Sequence, residues 1–155
     1  MSEVLAALYE GRRSDVAGAA DESLDVLEAA ALGRVARLSE LLTADPSGAT
    51  LRSDDGFTAL HYAAFFGGAD VAALLLRAGA DPGAVAGNDM RVQPLHSAVA
   101  ASAVDVVRLL VAAGVDLEAE QEGGYTALQA AGQHDQTEVV ALLLAAGADP
   151  ASLDR

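Results

Sequence analysis

The chain has no cysteine, which removes disulfides, thiolate metal sites and a cysteine nucleophile from consideration. It has no lysine either: all nine basic residues are arginine, set against 23 aspartates and glutamates. The resulting formal charge of −14 argues against nucleic acid as a partner, because phosphate binders cluster their cations. Tryptophan is absent and only three tyrosines and three phenylalanines occur. Long apolar runs are missing too. The stretch from Val104 to Val115 is short and interrupted by Asp105 and Arg108, so no membrane span is expected. Arg12-Arg13 is not followed by an apolar signal segment, and the reading is of a cytoplasmic protein.

What is present is a repeat rich in alanine, leucine, valine and glycine. Residues 53–87 read as one unit: Asp54-Asp55-Gly56 signals a turn, Thr58 to Phe66 a short helix, and Val71 to Ala78 a second helix stopped by Gly79. Such a helix pair carries too much apolar surface to stand alone and needs copies beside it. Leu60-His61 recurs as Leu95-His96 and Leu128-Gln129, and Gly79-Ala80-Asp81 as Gly114-Val115-Asp116 and Gly147-Ala148-Asp149. With Thr-Ala-Leu-His and Leu-Leu-Leu-x-x-Gly-Ala-Asp in fixed phase, the chain resembles the ankyrin repeat family over roughly residues 22–150.

The expected architecture is all-α: one ankyrin-repeat solenoid of helix-turn-helix units with projecting β-turn fingers, spanning 1–155. Residues 1–21 read as a shortened N-terminal helical cap, with Val4, Leu5, Leu8 and Tyr9 on one helical face. The repeats follow at 22–52, 53–87, 88–120 and 121–153. The first has helices at Ser23 to Leu32 and Val35 to Leu42, and Pro46 ends its second helix. The third is weaker, since Arg91, Gln93 and Ser102 stand where the second has Gly56, Thr58 and Gly67; a less regular turn and a looser helix junction are expected there. Extra residues within Gly83 to Gly87 lengthen the finger before it. The last unit keeps an apolar second helix, Val139 to Leu144, although terminal repeats normally turn a polar face outward. Either the tail Pro150 to Arg155 covers it or another subunit does.

The resemblance implies a hydrogen bond between Thr58 and His61. Gln93 with His96, and Thr126 with Gln129, are departures able to keep a similar contact, so His61 and His96 read as structural. His96-Ser97 with Asp105 holds the atoms of a hydrolase triad, but adjacent helical positions do not face each other. No catalytic constellation, metal site or cofactor site is expected, and the chain reads as a non-enzyme.

By the same resemblance, partner contacts fall on finger tips and the exposed parts of first helices. The expected residues are Asp54, Asp55, Phe57, Phe65 and Phe66, then Asp89, Met90 and Val92, and finally Glu122, Tyr125, Gln133 and His134. Large apolar groups fringed with acid, including Glu118 and Glu120, suit a basic, partly apolar protein segment. The functional expectation is a non-catalytic protein–protein interaction module, in one version an inhibitor or immunity-type protein masking a basic partner. The alternative is a self-associating scaffold through the C-terminal repeat, so that the chain is a monomer or a weak homodimer. Neither nucleic acid nor membrane is expected as a partner.

Overall fold

Each first helix opens on a side chain or ring that closes its own N-terminus. Ser2 accepts from the Leu5 amide at 3.2 Å, and Asp25 and Glu28 exchange two bonds of 2.9 Å. Thr126 and Gln129 do the same at 2.9 and 3.2 Å. Thr58 gives its amide to His61 Nδ1 at 3.1 Å and its Oγ1 accepts from the His61 amide at 3.4 Å, whereas Gln93 only gives its amide, to His96 Nδ1 at 3.0 Å. All four pairs satisfy amides that a helix start leaves orphaned.

The computed structural model describes residues 1–155 and contains ten α-helices. The first helices are α1 (Glu3–Tyr9), α3 (Val26–Leu32), α5 (Ala59–Tyr62), α7 (Pro94–Ala100) and α9 (Ala127–Gln133). The second helices are α2 (Arg13–Val16), α4 (Val35–Ala44), α6 (Ala69–Arg77), α8 (Val104–Ala112) and α10 (Thr137–Ala145). First helices stack on first helices in chain order, and from α4 onward second helices stack on second helices. Leu60, Leu95 and Leu128 fill one apolar layer and Leu75, Leu110 and Leu143 the other, each 2 % exposed or less. Burying each such leucine contributes about 1.5–3 kcal/mol.

Between the paired helices runs one recurring closure, an amide bonded to the carbonyl five residues back: Arg12 to Ala7, Arg34 to Ala29, Gly68 to Ala63, Ala103 to Ala98 and Gln136 to Ala131. In four of these the preceding residue, Gly11, Gly33, Ser102 or Asp135, is left-handed, as a Schellman closure requires. The second repeat departs. Here the expected single helix from Thr58 to Phe66 is α5 followed by a π-helical turn, Ala63–Gly67, and the positive φ passes to Gly68. Gly67 lies so close to α3 that a Cβ there would stand 1.9 Å from the Ala30 carbonyl oxygen. The facing Gly33 would place a Cβ 2.7 Å from the Gly67 carbonyl oxygen. Two glycines thus let repeats one and two meet backbone to backbone.

The third repeat corrects half of an expectation. Its helix junction keeps the shape of its neighbours because Ser102 takes a φ of 54° despite its side chain, at a cost of about 1–2 kcal/mol. Its turn is less regular, as expected: the Arg52–Thr58 and Glu120–Thr126 bridges have no counterpart in it, and Val92 O accepts from the Ala86 amide where Phe57 O and Tyr125 O accept from Ser53 and Gln121. The lengthened finger is packed: Ala84 and Ala86 are buried, and Arg52 donates to the carbonyls of Val85 and Gly56 at 2.9 and 3.0 Å. Fingers are tied to one another through Gly87 N–H to Gly56 O at 2.8 Å and Glu122 N–H to Met90 O at 2.9 Å.

At the C-terminus a 3-10 turn, Pro150–Asp154, packs on α9, with Leu153 against Gly132. The tail therefore covers the first helix of the last repeat. On α10, Val139 and Leu143 are buried while Val140, Leu142 and Leu144 remain partly exposed. No helix is long and apolar enough to cross a membrane.

Candidate partner-binding cleft

The first repeat has only alanines, Ala29-Ala30-Ala31, along the middle of α3. Small side chains there let the N-terminal cap reach across to the second repeat. Tyr9 at the end of α1 meets Phe66 edge-on at 5.7 Å between centroids and Tyr62 at 6.2 Å. Phe57 meets Tyr62 at 6.1 Å and Phe65 meets Phe66 at 4.7 Å, all in edge-to-face geometry favourable to aromatic pairs. Five of the chain's six aromatic rings are joined in this way.

They border one cleft of about 700 Å³, between the first helices and the fingers. Leu8, Tyr9 and Gly11 supply the cap side; Phe57, His61, Tyr62, Phe65 and Phe66 the second repeat; Met90, Val92, His96, Ser97 and Ala100 the third; and Gln121 the last. Phe65 and Met90 are about half exposed, at 45 % and 52 %. The π turn matters here, since it carries Phe65 and Phe66 onto the cleft rim.

Polar groups around the cleft are mostly committed. Tyr62 Oη donates to Asp55 Oδ1 at 3.1 Å, and Tyr9 Oη lies 3.2 Å from Asp55 Oδ2 and 3.3 Å from Tyr62 Oη. Burial, with Tyr62 and Asp55 alongside, pushes the Tyr9 phenol well above its ordinary value, so it stays a neutral donor. The amine of Met1 pairs with Asp54 at 3.4 Å, and Arg13 donates to the Phe66 carbonyl at 2.9 Å. The cap is thereby fastened to the second repeat.

Both imidazoles have fixed tautomers. His61 Nδ1 accepts from the Thr58 amide at 3.1 Å and its Nε2 lies 2.9 Å from the Val92 carbonyl. His96 Nδ1 accepts from the Gln93 amide and its Nε2 lies 3.1 Å from the Ala119 carbonyl. Amides only donate and carbonyls only accept, so Nδ1 is bare and Nε2 carries the hydrogen. Each ring therefore bridges its own helix start to the next finger. Burial pushes His61 down from 6.5 to about 4 and lowers His96 as well. The unfolded chain takes up the proton first, so stability is complete above pH 6.5 and falls as the pH drops towards 4. For His61 that loss is about 3 kcal/mol. Urea midpoints between pH 7 and 4.5 are expected to fall in the wild type and to fall less steeply in His61→Gln; parallel curves contradict this assignment.

The structure sorts the expected contact residues into groups. Phe57, Phe65, Phe66, Met90 and Val92 share the cleft, Val92 as its floor at 8 % exposure. Asp54, Asp89 and Glu122 stand exposed at successive finger tips. Asp55 is occupied internally by the two tyrosines and by Ser53 Oγ. Tyr125, Gln133 and His134 are exposed but do not line the cleft. Glu118 accepts from the Asp149 amide at 2.8 Å and so serves the C-terminal repeat. Leu8, Tyr9 and Tyr62 lie outside the expected set. Their signal in the sequence was the scarcity of aromatics joined to the alanine run of repeat one. No three His, Asp or Glu side chains converge where a metal ion could be held.

Comparison with known families agrees with this architecture. Residues 83–154 match the family described as ankyrin repeats (3 copies), and residues 55–86 match a single ankyrin repeat. No curated protein matches the chain.

Proposed function

The chain belongs to the ankyrin repeat family, whose members are generally protein–protein interaction modules, and on that premise we propose that its cleft is a non-catalytic binding site for a protein segment that is basic and partly apolar. The observation that carries this reading is the gathering of five of six aromatic rings around one concave apolar surface. Large rings held edge to face lose little further freedom on binding and are the groups that dominate interface energies. Finger-tip acids and a net charge of −14 favour a cationic partner and speed its approach. The non-catalytic half is supported by the two imidazoles, whose nitrogens are all engaged, leaving no free base in the cleft. With so large an excess of acid, masking a basic partner is the version that charge favours.

The test is capture of proteins from the native host's lysate at low and high salt by the wild type and by Phe65→Ala, Met90→Ala, two changes at exposed positions. A protein held by the wild type, lost by the double variant and weakened by salt is the expected result. Capture insensitive to both changes removes the cleft from the proposal. The partly uncovered Val140, Leu142 and Leu144 of α10 favour a second reading, self-association. Sedimentation showing a dimer abolished by Leu144→Glu but not by Met90→Ala would select it.

A further inference from the structure

The cleft offers an occupant almost no main-chain hydrogen bonds. On the finger side of the lining, the amides of Phe57, Met90 and Gln121 are spent on Ser53 Oγ, Asn88 Oδ1 and the Tyr125 carbonyl, and the carbonyls of Met90 and Val92 accept from the Glu122 and Ala86 amides, while first-helix backbones are spent within their helices. The rings of His61 and His96 are engaged as well. An extended chain pressed onto such a lining would strand its own amides and carbonyls against apolar surface. A helix arrives with its backbone already paired.

Above the lining, a carboxylate recurs at the same turn position of three successive fingers: Asp54, Asp89 and Glu122. Asp89 and Glu122 take part in none of the protein's ion pairs, and Asp54 meets only the terminal amine. Stacked repeats lie about 8–10 Å apart, the ordinary helix-packing separation. Seven residues of α-helix rise about 10.5 Å and return to within roughly 20° of the same face. The pitch of the acidic row therefore falls just short of one heptad of helix.

Resting on the reading that the cleft binds a protein, we propose that the bound segment is an amphipathic helix. Its apolar residues at i, i+3, i+4 and i+7 seat against Phe65, Phe66 and Met90, and its arginines or lysines, seven residues apart, face Asp54, Asp89 and Glu122. Helix-in-groove recognition puts affinity in the apolar anchors, and the row of acids sets the register along the fingers.

The experiment is selection of binders from a displayed library of random peptides of about 16 residues, long enough to pass three fingers as a helix. Enriched peptides are then synthesised and measured by fluorescence anisotropy and circular dichroism against the wild type, Met90→Ala, and Asp89→Asn, Glu122→Gln. Expected are peptides with basic residues seven apart that gain helicity when bound. Met90→Ala should weaken them, and the double charge removal should weaken them on the order of tenfold at low salt. Peptides that lose affinity with Met90→Ala but bind extended, or without that spacing of cations, overturn the helix proposal and leave the cleft standing. Peptides indifferent to Met90→Ala, or no enrichment at all, overturn both.

Discussion

Gly67→Ala is expected to destabilise the protein by about 3 kcal/mol or more, at the upper end of overpacking costs. The added methyl would stand 1.9 Å from the Ala30 carbonyl oxygen and 2.8 Å from Val71 Cγ2. The nearer atom is backbone in the middle of α3, so relief requires moving a helix and not merely rotating a side chain. Gly67 does not hold a positive φ, and the penalty is therefore one of contact. Gly79→Ala separates the two effects: its φ is 97° but nothing lies within 4 Å of the new methyl, so only the left-handed cost of about 1–2 kcal/mol applies. Urea unfolding of the two variants checks this, and equal midpoints would mean that repeats one and two are not in backbone contact. Because the same turn carries Phe65 and Phe66, Gly67→Ala should also disturb partner binding, which Gly79→Ala should leave intact.

Leu110→Ala is expected to cost about 2–5 kcal/mol, or several degrees to somewhat over ten in the thermal midpoint. Leu110 is fully buried on α8, which packs against both α6 and α10. A repeat array holds together through its nearest-neighbour interfaces, so one deletion in the third repeat weakens the joints on both sides of it. Hydrogen exchange in the last repeat should accelerate, since that unit has no neighbour beyond it. Asp55→Ala, which removes the acceptor of Tyr62 and Tyr9, is expected to cost less, about 1–2 kcal/mol. Equal thermal midpoints for Leu110→Ala and Asp55→Ala contradict this account of the core.

The stacking order and the apolar layers were legible because they are written locally. Leucines in fixed phase, a polar residue at each first-helix start and Gly-Ala-Asp or Gly-Val-Asp after the second helices of the last three repeats recur at nearly constant spacing, and each acts within its own unit or on the next. The irregular features were less legible, since they arise between units. Nothing in Ala-Ala-Phe-Phe-Gly-Gly alone distinguishes a π turn from a helix end; the choice is made by Gly33 and Ala30 on a different repeat. Tyr9 reads as one more apolar residue on a cap helix, whereas its neighbours Tyr62 and Phe66 lie more than fifty positions away. Ser102 misled for a related reason: the closure from the Ala103 amide to the Ala98 carbonyl holds it in a conformation its own chemistry disfavours. Of the contact residues, Asp54 and Asp89 stand apart at the finger tips, while Phe57, Phe65, Phe66, Met90 and Val92 converge on the cleft. Tyr125, Gln133 and His134 do not, because the cleft closes towards the cap and not towards the C-terminus.

The paired glycines at Gly33 and Gly67 also bear on how this array can grow. Solenoids lengthen by duplication of a unit, which works when every joint accepts the same pair of faces. The joint between the first two repeats accepts only a glycine on each side, and the third and fourth repeats carry Ser102 and Asp135 at the position of Gly67. A copied third repeat could be spliced in after residue 120 with familiar surfaces on both sides; spliced in after residue 52 it would collide with α3. The joint between repeats one and two is thus closed to a copied third repeat while the later joint accepts one, and the aromatic cleft sits against the closed joint, where an insertion after residue 120 would change only the Gln121 part of its wall.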